Sequence, residues 1–368
     1  MVAFGLLSAD AVLHYDDVVV EVVAPPRSDK ISIDEATLDL TFENQLNAVA
    51  KTESLVDPPE IHAKRRQGVG MALAEIARAQ GVAHALQAEL GYVSDRLRLA
   101  IYLQNGTLRG FVSGSGRRAG TFEQTLDPRD NENLTEFVRR AALVGASQIA
   151  PYTTTLYLLQ LHAQDKQFDE VLALAAQAQA KLPPTPINLQ RSLYENVRGI
   201  VALFRNDAKA AKAAFAAAVA ADPDNPAAML NLAFAEVEID DYKDAAERME
   251  RFIVATPPVN NILLGTAYMT WAAAEMGLRD ATRADELMAK AMKIYPTSST
   301  GFDLWAEVKE LQGDHAAAAK LRHKALEATA DAFENYAEVA TLYFHLSWRD
   351  NQPVMSNKFA NPAAVTLR

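Results

Sequence analysis

The sequence predicts an α+β chain: a small N-terminal α/β sandwich followed by an all-α solenoid of stacked helical hairpins. Three observations carry this expectation. Pro183, Pro223, Pro257 and Pro296 each close an alanine-rich stretch of helical periodicity, and Pro223 and Pro257 stand about 34 residues apart. Asp17 to Val23 is a short β-branched run ended by Pro25 and Pro26, as in a buried strand. Asn105-Gly106 separates two segments of alternating polarity, the signature of a two-residue hairpin turn. The expected division is an α/β domain over 1–150, a helical array with a terminal cap over 151–350 and an extended tail over 351–368.

Composition bounds the function. The chain has 368 residues, enough for a domain plus a repeat array. Its formal charge of −11 argues against binding to phosphate backbones, where clustered Lys and Arg are required, so no nucleic-acid partner is expected. The absence of cysteine excludes disulfides, thiolate catalysis and Cys-ligated zinc or iron–sulfur sites. It does not choose between cytoplasm and periplasm. The first seven residues are apolar, but Asp10 follows soon and no Lys or Arg precedes them, which fits a signal peptide poorly. No run reaches the roughly 20 apolar residues of a membrane span. The expectation is a segment packed on the fold; a membrane tether outside the sequence is the alternative.

In the N-terminal part, strand 17–23 is followed by a helix capped at Ser32 or Asp34 and running through Lys51, with Ala36, Leu40, Leu46 and Val49 on a rough stripe. A second helix is expected after Pro58-Pro59, through Met71, Leu73, Ile76 and Ala77 to a stop at Gly81. Leu97, Leu99, Ile101 and Leu103 alternate along the next strand, Leu108 to Ser113 forms its return, and Gly114 to Gly120 reads as a loop. A strand from Thr121 to Leu126 and a helix from Glu132 to Ser147 complete the domain.

The array is tested by side-chain size, because only small residues let two helices cross closely. Gly199, Ala211, Phe215 and Ala218 fall at matched offsets before Pro223. Leu232, Ala233, Ala245, Met249 and Phe252 precede Pro257; Tyr268, Ala272, Ala284, Met288 and Ala291 precede Pro296. That third interval is about five residues too long, and the insertion is expected in the loop at Pro257-Pro258-Val259. A fourth unit carries Phe302, Trp305, Ala306, Ala318 and Ala325, with a turn at Gly313-Asp314. Upstream, Leu158, Phe168 and Ala178 mark a degenerate first unit between Pro151 and Pro183. Asp331 to Trp348 reads as a terminal amphipathic helix shielding the last apolar face.

These small residues at matched offsets, closed by proline, resemble the tetratricopeptide repeat family. The resemblance implies a concave groove lined by first helices, in which an asparagine often holds a partner's backbone. On that mapping Tyr157, Gln160, Asn196, Ile200, Asn231, Phe234, Met269 and Ala273 line the groove, with Asn231 at the family's peptide-binding asparagine position. Lys and Arg are missing from the positions that would clamp a C-terminal carboxylate. Asp303, Glu307 and Glu310 make the last unit acidic, which suits a basic segment. Packing, or contact with the N-terminal domain, is the other reading of these residues. The stretch Ile76 to Leu86 with the hairpin after it is similar to the N-terminal α/β module of the TolB and FlgO families, which implies a bacterial, envelope-linked setting and a strand over Val82 to Tyr92.

No catalytic constellation is legible, so no enzyme, cofactor or metal is expected. The seven histidines show no metal-ligand spacing, and His315 and His323 lie about two turns apart. Gly114 to Gly120 carries Arg117 and Arg118 but no Lys-Ser or Lys-Thr opening a helix. Gly68-Val69-Gly70 lacks a third glycine, and Ser113 and Ser115 lack a nucleophile elbow. Asp240-Asp241 and Lys64-Arg65-Arg66 read as solvated turn and surface. The resulting expectation is a protein–protein interaction scaffold with a protein or peptide partner. An accessory domain of a membrane-tethered bacterial signalling protein is the alternative, an enzyme with a site between the domains is third, and homo-oligomerisation stays open.

Overall fold

The computed structural model describes residues 17–23, 35–52, 62–65, 96–104, 107–116, 120–163, 165–182, 188–255 and 261–328. The expected helix over 71–81, the strand at Val82 to Tyr92, the terminal helix at Asp331 to Trp348 and the tail lie outside them. The chain divides into two compact units, 1–53 with 58–155, and 54–57 with 156–368.

The first unit is built on a five-stranded sheet of order β2-β1-β3-β4-β5, from β1 (Asp17–Val23), β2 (His62–Arg65), β3 (Arg96–Gln104), β4 (Thr107–Gly116) and β5 (Gly120–Leu126). β1 is parallel to β2 and β3, and β3-β4-β5 is an antiparallel meander. The pairing of Gln104 with Thr107 leaves two residues for the turn, as Asn105-Gly106 demands. Parallel neighbours need a crossover, and α1 (Glu35–Ala50) supplies it between β1 and β2.

One face of the sheet carries Val18, Val20, Val22, Leu97, Leu99, Ile101 and Val112, all buried. Against it lie Leu38, Phe42, Leu46 and Val49 of α1 and Phe137, Ala141, Ala142 and Ala146 of α2 (Leu134–Ile149). Gly145 lets α2 approach: a Cβ there would stand 2.7 Å from Leu97 Cδ1. α2 starts with a capping box, in which Asn133 and Glu136 each accept the other's backbone N–H. The opposite face of the sheet carries charged side chains, with Glu21 facing Arg98.

Two expectations are corrected here. Residues 62–65 form β2, where the second helix was expected to begin; Lys64 and Arg65 therefore sit on an edge strand. His-Ala-Lys-Arg has no β-branched residue, so its strand state is imposed by main-chain pairing with β1. Gly114 to Gly116 and Gly120 belong to β4 and β5, so the glycine-rich stretch is the end of a hairpin.

α3 (Pro151–Leu161) begins in the first unit and ends in the second. The second unit continues with α4 (Asp169–Ala180), α5 (Leu189–Phe204), α6 (Ala208–Ala221), α7 (Pro226–Glu238), α8 (Tyr242–Ala255), α9 (Asn261–Gly277), α10 (Ala281–Ile294), α11 (Ser299–Leu311) and α12 (His315–Glu327). From α5 onward the helices pair as hairpins, and each second helix packs on the next first helix. The small residues mark the crossings. Ala211, Ala218, Ala233, Ala245, Ala272, Ala284, Ala291, Ala306 and Ala318 are fully buried, and Gly199 lies against the Phe215 ring. α3 and α4 do not make this close crossing among the described residues. α3 reads Pro-Tyr-Thr-Thr-Thr-Leu-Tyr-Leu-Leu-Gln-Leu, with no Gly or Ala to allow it.

The long third interval is also corrected. α9 has 17 residues where α7 and α11 have 13 each. Four of the five extra residues therefore lengthen the first helix, and the number of positions between α8 and α9 is only one greater than the four between α6 and α7.

Every hairpin from α5 onward turns the same way. Asn206, Asp240, Arg279 and Gly313 have positive φ, and the aspartate that follows donates its N–H to a carbonyl five residues back (Asp207 to Ala202, Asp241 to Glu236, Asp280 to Glu275, Asp314 to Lys309), each at 2.9 Å. This is a helix ending in the left-handed conformation. The side chains of Asp207, Asp280 and Asp314 then cap the second helix.

Candidate partner-binding face

The first helices of the array, α5, α7, α9 and α11, lie side by side, and polar side chains tie them together. Asn225 Nδ2 donates to Ser192 Oγ at 2.9 Å, and Asn231 Nδ2 donates to Asn196 Oδ1 at 2.8 Å. Both pairs are buried and both join α5 to α7 or its N-cap. Ser298 Oγ caps α11 and reaches the Met269 sulfur of α9 at 3.8 Å. Glu236 on α7, also buried, holds Arg248 of α8 through two parallel bonds of 2.8 and 2.9 Å.

This arrangement corrects part of the mapped groove. Asn196, Ile200, Asn231, Phe234, Met269 and Ala273 are not on an open surface; each is buried. The physical reason is visible in α7, where 230 to 237 are buried without interruption, so the helix is covered all round. Asn231 and Asn196 satisfy each other in that interior, as buried amides must. Tyr157 and Gln160 on α3 are half-buried, and so are Asp303 and Glu307 on α11.

The acidic end is chemically distinct. Thr300, Asp303 and Glu307 recur at helical spacing on one side of α11. Thr300 Oγ1 and Glu307 Oε2 are buried atoms with no hydrogen-bond partner. Burial pushes the Asp303 carboxyl up to about 6, with Arg322 drawing it partly back. Burial pushes Glu307 up to about 7; Asp303 adds to the rise and Arg322 opposes it. Glu310, one turn on, contrasts with them. It pairs with His315 and, at 2.7 Å, with Arg322, and these hydrogen bonds hold its carboxyl below the usual range. Asp285 of α10 shows the same contrast: burial raises it, but bonds from Lys309 at 2.7 Å and Trp305 at 2.6 Å prevail. Sequence reasoning named Asp303 and Glu307 but missed the ion pair of Glu236 with Arg248, because a lone carboxylate on an alanine-rich helix gives no sign of its partner.

No group of three His, Asp or Glu side chains converges to hold a metal among the described residues, and no helix there is long and apolar enough to cross a membrane.

The architecture is that of stacked helical hairpins with a recurring turn geometry. A tetratricopeptide repeat family model matches residues 203–257, from the end of α5 through α8. Among solved structures the chain matches MamA: the form from Desulfovibrio magneticus RS-1 beginning at residue 41 is 18% identical, covers 49% of this chain and 95% of its own, and has a TM-score of 0.38. An RS-1 double mutant gives 18%, 49%, 94% and 0.37, and a further MamA crystal structure 19%, 45%, 91% and 0.36. No curated protein matches the chain. The repeat match supports a protein–protein interaction scaffold.

Proposed function

We propose that the array is a non-catalytic scaffold that takes a partner segment at its last described hairpin, with a basic side chain of that segment seated at Asp303 and Glu307. The observation that carries this reading is the buried, unpartnered Glu307 Oε2 beside a second carboxylate one turn away. A buried acceptor without a donor is destabilising, and two carboxylates oppose each other's ionisation. A lysine or arginine from a partner removes both penalties at once. Arg322 does not do so, because its guanidinium is bonded to Glu310. In this reading Asn196 and Asn231 hold the first helices at a fixed spacing.

The test is a peptide array scanned with lysine and arginine, followed by fluorescence anisotropy on the binders. The expected binders carry a basic residue at one fixed position. The variant Asp303→Asn/Glu307→Gln is expected to weaken them about tenfold or more, with no loss of thermal stability. Binders without a basic residue, or unchanged affinity in the variant, would overturn the assignment.

A further inference from the structure

We infer that β5 is a dimerisation edge: two copies of this chain pair β5 with β5, antiparallel, in a register centred on Gln124.

The sheet order leaves β5 at an end, paired with β4 alone among the described strands. The β4–β5 pairing is regular from Gly110↔Leu126 to Gly116↔Gly120, with no bulge. Five of the seven β5 residues are exposed. Native edges are normally blunted by proline, lysine, a bulge or a covering element. Gly-Thr-Phe-Glu-Gln-Thr-Leu has one charge, Glu123, and none of the other devices. It is a strand in every respect except that it lacks a second neighbour among the described residues.

The identity of that neighbour follows from self-complementarity. The cross-strand pairings place Phe122, Gln124 and Leu126 on the helix-covered side, because their β4 partners are Gly114, Val112 and Gly110. Thr121, Glu123 and Thr125 lie on the polar side. A two-fold axis through Glu123 would set Glu123 against its own copy, which is unfavourable for directly opposed residues. An axis through Phe122 would carry the pairing past Gly120, the first residue of β5. An axis through Gln124 avoids both. It opposes Phe122 to Leu126, Gln124 to Gln124 and Glu123 to Thr125. The half-buried Phe122 thereby gains an apolar neighbour, and each glutamate faces a hydroxyl. A two-fold arrangement of this kind is isologous and closes at two copies.

Sedimentation velocity of the full chain across a concentration series tests this. The wild type is expected to show a concentration-dependent dimer. Thr125→Glu places two like-charge pairs across the axis and is expected to raise the dissociation constant roughly tenfold. Thr125→Lys opposes Glu123 with a cation and is expected to preserve the dimer. Glu123→Lys combined with Thr125→Glu is expected to restore it. Thr125 is exposed, so circular dichroism should be unchanged in all of these. A wild type that stays monomeric at its highest soluble concentration would overturn the proposal. So would a dimer indifferent to Thr125→Glu.

Discussion

Each hairpin turn in the array places one residue in the left-handed region, where a side chain is strained against its own carbonyl. Asn206 and Asp240 are among the residue types that tolerate it, and Gly313 has no Cβ to strain. Arg279, at φ 69°, has neither advantage. It is exposed, so the strain is not offset by packing. Arg279→Gly is therefore expected to stabilise the chain by roughly 0.5–1 kcal/mol, with the gain in backbone strain exceeding the extra entropy of the unfolded glycine. A urea titration should show a higher midpoint with an unchanged slope. A lower midpoint would mean that the arginine side chain contributes more than its backbone costs. The turns were only partly legible in the sequence. Gly313-Asp314 announces itself, whereas the other three are hidden because Asn, Asp and Arg at the same position do not look alike. The recurring signal is the aspartate one residue later, at 207, 241, 280 and 314. The residues mapped to the groove show the same limit. Asp303 and Glu307 were recognisable as acidic, but burial of Asn196 and Asn231 depends on neighbouring helices, which spacing along one helix does not reveal.

At the scale of elements, side-chain size at the crossings was the legible quantity, and Gly199 is its sharpest case. A Cβ at this position would stand 2.3 Å from Phe215 Cε1, and Phe215 is fully buried. Gly199→Ala gains about 1 kcal/mol of helix propensity, but overpacking a rigid ring costs about 1–3 kcal/mol. The net expectation is a loss of about 1 kcal/mol. Shrinking the ring should relieve the clash, so Gly199→Ala with Phe215→Leu is expected to be less destabilised than the two single changes together. Thermal or urea melts of the four proteins give the coupling; strict additivity would mean that the ring is not what the glycine accommodates. Elements that rest on main-chain partners were illegible. β2 has no strand composition and exists through β1. The extension of α9 was misplaced into a loop because proline spacing counts residues between helix ends without saying which element they lengthen.

At the scale of the whole molecule, stability in a stack of hairpins is a sum of local terms and neighbour contacts, so a penalty placed in the last described hairpin should act mainly there. Glu307 and Asp303 supply such a penalty, and its sign is fixed by their raised values. A carboxyl at about 7 when folded and near its ordinary value when unfolded binds more protons in the folded state between those limits. The stability it allows is full below about pH 4.5 and is lost as pH rises through about 7, by on the order of 3 kcal/mol for Glu307. Carboxylates held low, such as Glu132, paired with Arg140, and Glu310, act in the opposite sense, but only in stronger acid. The expected outcome is that hydrogen-exchange protection in α11 and α12 falls between pH 5 and 8 relative to α7 and α8. Glu307→Gln removes the ionisation and should flatten most of that fall while raising protection at pH 8. A basic peptide bound at Asp303 and Glu307 should have the same effect in the wild type, because a neighbouring cation lowers both carboxyls. Equal pH slopes in wild type and Glu307→Gln would show that this carboxylate is not the source of the local instability, and would remove the physical reason for seating a cation there.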